Sequence, residues 1–238
     1  MNTDSTSALA HSVRSGDPGE GLVLCVHGQG GCAEQWENRV RLIAAHGLEA
    51  VAVELPLHGA RRITGVDPSG LLDIIDYLRL VDTAAAELCE IVAGTKRGRP
   101  IGLLGHSLGA EVALVAMSRS PRISSVVAVG TVVSDPAWAG PASPWKGGNT
   151  SEFAEVLAKV TLLDRPQLLT TRDISYLHGT DDIDAPLGEL LQLLERTGHQ
   201  DRLTLIPGGH ELTEDTIEHA AVLLAQTLNA QGDPFRTP

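Results

Sequence analysis

The stretch that decides the fold is IGLLGHSLG, residues 101–109. A short apolar run leads into Gly105-His106-Ser107-Leu108-Gly109, and small and apolar residues continue at helical length to Pro121. A G-x-S-x-G sequence between a strand and a helix forms a very tight turn, in which flanking side chains would clash and the serine hydroxyl points out of the sheet. The segment therefore predicts a strand, a sharp turn and a helix, with Ser107 exposed at the carboxyl end of the strand.

The same rhythm of strand, turn and helix recurs along the chain. Apolar runs of strand length are each followed by turn residues and, in most cases, by a segment with helical periodicity; they cover residues 22–26, 50–55, 101–104, 123–133, 174–177 and 202–206. Such alternation indicates βα units around a mostly parallel sheet flanked by helices. With 238 residues and no repeat or long linker, we expect one α/β domain over residues 1–238.

Composition excludes several classes of function. The chain has 30 acidic and 18 basic residues, a formal net charge of −12, and only 3% aromatic residues, which argues against a nucleic-acid partner. Its three cysteines lack metal-site spacing, so we expect neither a disulfide framework nor a zinc site. No signal-like segment and no run of ~18 apolar residues is present. We therefore expect a cytoplasmic protein without a membrane partner; its oligomeric state is left open.

Polar residues that follow separate strands provide the elements of nucleophilic catalysis. In an open parallel sheet, residues after the carboxyl ends of strands converge on one site. Ser107 needs a base, and His210, after the last predicted strand, is suited to accept its proton. A carboxylate must orient the imidazole, and Asp181 or Asp182 follows the strand at 174–177, with Asp135 as a further alternative. The order serine, aspartate, histidine is typical of the G-x-S-x-G turn.

Two backbone groups and two tryptophans complete the candidate site. The N–H groups of Gln29 and Leu108 are predicted to form an oxyanion hole, each contributing about 3 kcal/mol of transition-state stabilisation. Trp138 and Trp145 lie in the Pro/Gly-rich segment at 134–149 and are predicted either to line a substrate pocket or to anchor a loop.

Other polar residues near the strand ends receive structural interpretations. Histidines beside glycines are expected to make hydrogen bonds that organise loops rather than to bind a metal: His27, His58, His106 and His178. Arg61 and Arg62 are interpreted chiefly as solvated loop residues, the alternative being contact with a phosphate-bearing thioester.

Together these motifs resemble the α/β-hydrolase superfamily over nearly the whole chain. The matching segments are His27-Gly28 with Trp36, the P-x-H-G segment at 56–59, GHSLG, the H-G-x-x-D loop at 178–182 and the GGH loop at 208–210. The resemblance implies Ser107 as nucleophile, His210 as base and Asp182 as acid, since the acid falls three positions after the glycine of its loop.

The chain also departs from the family pattern. The family's eight-stranded sheet implies about seven strands here, because the first antiparallel strand is missing and residues 11–15 form the second. Glu54 replaces the usual aspartate before the P-x-H-G segment. The segment at about 134–165 is too short for a large cap domain, so we expect a small lid.

The resulting prediction is a serine hydrolase that cleaves an ester or thioester of a small to medium acyl group through an acyl-enzyme. A thioesterase of an acyl-carrier or CoA pathway is the main alternative. A lyase or acyltransferase that uses the same triad, or a ligand-binding relative without turnover, are the others. The expected partner is a small-molecule substrate, and neither metal nor organic cofactor is implied.

Overall fold

A computed structural model describes residues 12–17, 21–62, 74–136 and 150–232. Within these ranges the chain forms seven strands: β1 (Val13–Ser15), β2 (Leu22–Val26), β3 (Glu49–Val53), β4 (Ile101–His106), β5 (Ser125–Val129), β6 (Asp173–Gly179) and β7 (Leu203–Ile206). Six α-helices accompany them: α1 (Glu37–Ala44), α2 (Ile74–Gly94), α3 (Leu108–Arg119), α4 (Ser151–Val160), α5 (Leu187–Thr197) and α6 (Glu214–Gly232). None of the described helices combines the length and apolar character needed to cross a bilayer.

The strands make one sheet in the order β1-β3-β2-β4-β5-β6-β7. β1 pairs antiparallel with β3, with Val13 opposite Ala52, and every other pair is parallel. The predicted mostly parallel sheet of about seven strands is thus confirmed, and the strand expected at residues 11–15 is β1. Because β2, β4, β5 and β6 run in one direction, their carboxyl ends and the loops that follow lie along one edge of the sheet.

Both faces of the sheet are buried, which explains the continuous apolar strands. Alternate residues of β2 point to opposite faces: Leu24 and Val26 belong to the hydrophobic core that includes residues of α2, α3, α4 and α5, whereas Val23 and Cys25 belong to the core that includes residues of α1 and α6. The all-buried β2 and β3 therefore serve two hydrophobic cores at once. This doubly covered sheet provides a rigid support for the loops at its edge.

One strand boundary differs from the sequence prediction. The apolar run at 123–133 was expected to form one strand, but β5 ends at Val129. Gly130 turns the chain out of the sheet with a φ of 54°, and its N–H donates a hydrogen bond to Leu177 O at 3.0 Å. In the segment expected to form a lid, residues 150–160 include α4, whose Phe153 and Leu157 pack into the core, and residues 137–149 lie outside the described ranges.

Candidate active site

Ser107 occupies the turn between β4 and α3 in a backbone conformation unusual for a residue with a side chain. Its φ is 56° and its ψ is −121°, and its N–H donates to Val129 O at 2.9 Å. The flanking glycines are required by close packing: a Cβ at Gly105 would lie 2.2 Å from Gly109 O, and one at Gly109 would lie 2.2 Å from Val26 O. The turn therefore presents a half-exposed hydroxyl at the start of a helix.

His210 and Asp182 meet at the same edge of the sheet, from the loops after β7 and β6. His210 Nδ1 lies 2.7 Å from Asp182 Oδ2, and the Asp182 side chain is 0% exposed. Asp182 Oδ1 accepts hydrogen bonds from the N–H groups of Asp184 at 3.0 Å and Ala185 at 2.9 Å. Burial alone raises the pKa of Asp182, but the hydrogen bonds from His210 and the backbone outweigh it and lower that pKa overall. The group is therefore a carboxylate at neutral pH.

Asp181, the neighbouring candidate acid, has a different hydrogen-bond partner. Asp181 is exposed and accepts a hydrogen bond from Thr180 Oγ1 at 3.3 Å. The carboxylate seen to hydrogen-bond to the His210 imidazole is that of Asp182. The geometry thus favours the aspartate three positions after the glycine of its loop.

His106 connects the serine turn to the histidine loop. Its Nε2 donates a hydrogen bond to His210 O at 2.7 Å, and the two imidazole rings lie with centroids 5.0 Å apart. Burial lowers the pKa of His106 to about 4, so this ring is neutral at physiological pH. In the described part of the chain, no hydrogen bond joins the Ser107 hydroxyl to His210. Such contacts often tighten only when substrate binds.

The loop after β2 passes directly beside the serine turn. A Cβ at Gly28 would lie 3.2 Å from Ser107 Cβ and 3.3 Å from His106 Nδ1. The next residue is Gln29, whose N–H is one expected oxyanion donor. The other belongs to Leu108, the first residue of α3, where backbone N–H groups have no acceptor within the helix. The structure therefore brings both candidate backbone segments to the nucleophile turn.

The remaining histidines make local contacts. His58 Nδ1 donates to Pro56 O at 2.8 Å, and His27 Nδ1 lies 2.9 Å from the carbonyl oxygen of the next residue. These contacts agree with the loop-organising role expected of His27, His58 and His106. His178 is buried below the Asp182 loop, and burial lowers its pKa. Within the described ranges, no group of three or more potential ligands is arranged to hold a metal ion.

The prediction that Arg61 is a solvated loop residue is wrong. The Arg61 side chain is mostly buried rather than solvated, because its guanidinium forms two hydrogen bonds of 2.8 Å with the buried carboxylate of Glu87. Nη1 also donates to Glu54 O at 2.9 Å. Arg62 is exposed. The two tryptophans proposed to line a pocket, Trp138 and Trp145, lie outside the described residues.

Sequence reasoning did not identify Glu111, a fully buried carboxyl one turn after the serine. Tyr77 Oη donates to Glu111 Oε2 and Ser134 N donates to Oε1, both at 2.7 Å, and Thr161 Oγ1 donates to Ser134 O at 2.9 Å. These contacts connect α2 and α3 to the segments on either side of residues 137–149. Burial raises the pKa of Glu111. The available signal was one acidic residue in an otherwise apolar helical stretch.

Comparison with protein-family models identifies the family of this chain. A model described as the alpha/beta hydrolase family matches residues 23–232. The chain belongs to the alpha/beta hydrolase family. A comparison with curated protein sequences found no match.

Several solved protein structures share the fold. TT1662 from Thermus thermophilus is 24% identical and matches with a TM-score of 0.74 over 93% of this chain and 95% of its own. A monoacylglycerol lipase from Paleococcus ferrophilus is 18% identical, with a TM-score of 0.62 over 92% of this chain and 98% of the lipase. The thioesterase domain from the curacin biosynthetic pathway is 19% identical, with a TM-score of 0.57 over 91% of this chain and 93% of that domain.

Proposed function

We propose that this alpha/beta hydrolase is a serine hydrolase that cleaves an ester or thioester of a small to medium acyl group through an acyl-enzyme. The observation that carries the proposal is the hydrogen bond of 2.7 Å between His210 Nδ1 and the buried Asp182 carboxylate, next to the strained turn that presents Ser107. Solved proteins of this fold include a lipase and a thioesterase domain, enzymes named for ester and thioester chemistry.

In the proposed mechanism, acylation begins with Ser107. Its Oγ attacks the substrate carbonyl carbon while His210 Nε2 accepts the hydroxyl proton, and the carbonyl oxygen becomes an oxyanion that the N–H groups of Gln29 and Leu108 stabilise. The intermediate then collapses: the bond to the alcohol or thiol breaks, and His210 returns the proton to that leaving group. An ester of Ser107 remains. Asp182 holds the imidazole in the tautomer with a proton on Nδ1 and stabilises the imidazolium.

Deacylation repeats these steps with water. His210 accepts a proton from the water molecule as its oxygen attacks the acyl carbon, the same N–H groups stabilise the second oxyanion, and the proton passes to Ser107 Oγ as the acyl bond breaks. The products are a free carboxylic acid and regenerated enzyme. In this proposal Trp138 and Trp145 line the acyl pocket, the substrate is a small molecule, and the protein acts in the cytoplasm.

Labelling with a fluorophosphonate tests this proposal. The probe should form an adduct on Ser107, identified by peptide mapping, and the Ser107→Ala variant should remain folded without being labelled. Turnover of the variant should fall by roughly 10⁴- to 10⁶-fold. An adduct on another residue, or a variant that keeps a tenth of the activity, would exclude the mechanism.

A rate panel then defines the substrate class. Aryl esters and acyl-CoA thioesters with the same acyl chain should be compared through kcat/KM, with the free acid measured as product. A preference above about tenfold for either series assigns esterase or thioesterase activity, since tenfold corresponds to about 1.4 kcal/mol of transition-state stabilisation. Products without free acid would indicate acyl transfer or lyase chemistry instead.

A further inference from the structure

Glu54 is a buried carboxylate immediately after β3 that has no part in the proposed proton transfers. Its side chain is 3% exposed. Its Oε1 lies 3.0 Å from His27 Nε2, and Ala33 N donates to Oε1 at 3.3 Å and Oε2 at 3.4 Å. One carboxylate thus contacts both ends of the loop formed by residues 27–33, which we call the oxyanion loop.

The oxyanion loop is rich in glycine. Three of its seven residues are glycines, at 28, 30 and 31, and Gly30 has a φ of 76°. Glycine gives the chain more conformational freedom than any other residue, and that freedom must be removed by outside contacts. Inside the loop, Gly31 N donates to Gly28 O at 3.2 Å. His27 Nδ1 approaches the same carbonyl oxygen at 2.9 Å, so the His27 ring connects Glu54 to the backbone beside Ser107.

The carboxylate is itself held in place. A Cβ at Gly59 would lie 2.0 Å from Glu54 Oε2, so the bare Cα of this residue, with a φ of 46°, packs directly on the carboxylate. Arg61 donates to Glu54 O and pairs with Glu87, which fixes the backbone. Burial raises the pKa of Glu54, but the hydrogen bond and charge of His27, with backbone N–H groups, lower it overall. Glu54 is therefore ionised at neutral pH.

We propose that Glu54 is a positioning residue: by holding both ends of the oxyanion loop, it sets the direction of the Gln29 N–H toward the developing oxyanion. This inference rests on the proposed serine hydrolase function. An oxyanion carries its full charge only in the transition state and tetrahedral intermediate, so a misdirected donor lowers kcat and leaves KM nearly unchanged. Removing one such donor costs about 10²- to 10³-fold in kcat, and displacing it costs part of that.

The decisive variants are Glu54→Gln and Glu54→Asp. The first keeps the size of the side chain, but its amide NH₂ replaces an oxygen that accepts hydrogen bonds. The second keeps the charge but withdraws the carboxylate by one methylene group, about 1.5 Å. Either change should lower kcat roughly 10- to 100-fold, with KM within about twofold of the wild type.

Glu49→Gln is the matched control. Glu49 is a buried glutamate, 2% exposed, at the opposite end of β3, where it pairs with Arg14 and Arg99. Its substitution removes a buried carboxylate from the same strand without touching the oxyanion loop. We expect a lower midpoint of denaturant unfolding and unchanged kcat. A merely structural role of Glu54 would give the same result for both glutamates.

A second readout addresses the oxyanion itself. A trifluoromethyl ketone that adds to Ser107 forms a stable oxyanion, and its inhibition constant should rise in the Glu54 variants by the same factor as kcat/KM falls. The fluorophosphonate adduct on the wild-type enzyme tests the proposed function separately: without it, that function fails. If the wild type is labelled and active, a folded Glu54→Gln variant with kcat within twofold of the wild type overturns the role of Glu54. If that variant does not fold, Glu54→Asp decides by the same criterion.

Discussion

Asp182→Asn tests the candidate triad most directly, because the surroundings of this side chain determine how an asparagine would sit. Asp182 Oδ1 accepts from two backbone N–H groups, while Oδ2 faces His210 Nδ1. An asparagine has one carbonyl oxygen, and the two N–H donors will hold it in the Oδ1 position. Its NH₂ group must then point at Nδ1.

This orientation reverses the hydrogen bond at the imidazole. The asparagine NH₂ donates to Nδ1, so the proton of neutral His210 moves to Nε2, the nitrogen that must accept the Ser107 proton. A base in the wrong tautomer loses about 10⁴-fold in kcat, or about 5 kcal/mol of transition-state stabilisation. We expect this loss with little change in stability, because size and backbone contacts are kept.

The assay is steady-state hydrolysis of an aryl ester, with denaturant unfolding to verify that the variant is folded. Asp181→Asn is the matched control, since Asp181 is exposed and its carboxylate hydrogen-bonds to Thr180. It should leave kcat within about twofold, because an exposed charge contributes little to a neighbouring buried pair. A loss below tenfold for Asp182→Asn would refute the tautomer argument, and a larger loss for Asp135→Asn would assign the acid elsewhere.

Three further predictions follow from backbone strain and burial. Ser107→Gly removes the Cβ that makes a φ of 56° costly. In urea unfolding this variant should be roughly 1–2 kcal/mol more stable than Ser107→Ala, although neither variant turns over substrate. Equal stabilities of the two variants would contradict backbone strain at this position. Gly130→Ala places a Cβ 3.2 Å from the His210 ring and should lower kcat roughly tenfold. Gly98→Ala is its control: Gly98 has a φ of 82°, and no atom lies within 4 Å of a Cβ built there, so this variant should lower the stability and leave kcat unchanged. Burial raises the pKa of Glu111 above its ordinary 4.5, so Glu111 contributes stability that is fully present below pH 4.5 and is lost as pH rises through its raised pKa. Urea titrations should show that Glu111→Gln lacks this contribution, and wild-type and variant stability curves that stay parallel across this pH range would contradict it.

Local sequence was sufficient for most of the fold. The strands and helices follow from apolar runs and punctuating glycines and prolines, and even the three-residue β1 was expected from the family pattern. The predicted end of β5 was wrong, because the run at 123–133 stays apolar beyond Gly130, where the chain leaves the sheet. Val133 is buried in the hydrophobic core although it lies beyond the end of β5, and this burial accounts for its apolar character.

The candidate site was predictable as a set of residue types and positions, but its contacts were not. Asp181 and Asp182 are adjacent and chemically identical in the sequence, and only the course of the loop backbone decides which carboxylate meets His210. The link between Glu54 and His27 spans 27 residues, and that between Tyr77 and Glu111 spans 34. Such pairs depend on how strands are ordered in the sheet, which no local pattern encodes. The prediction for Arg61 was wrong for the same reason, because its ion-pair partner Glu87 lies on a separate element, α2.

The order of the strands has a consequence for how activity is acquired. The oxyanion loop, the serine turn, the aspartate loop and the histidine loop follow β2, β4, β6 and β7, and β7 forms the far end of the sheet. The base therefore follows the edge strand of the sheet, and α6, which comes after the base in the chain, contributes Ile217, Ala221 and Leu224 to one of the two hydrophobic cores. Recovery of hydrolysis on refolding would thus require that both β7 and α6, the last strand and the last helix of the chain, have docked.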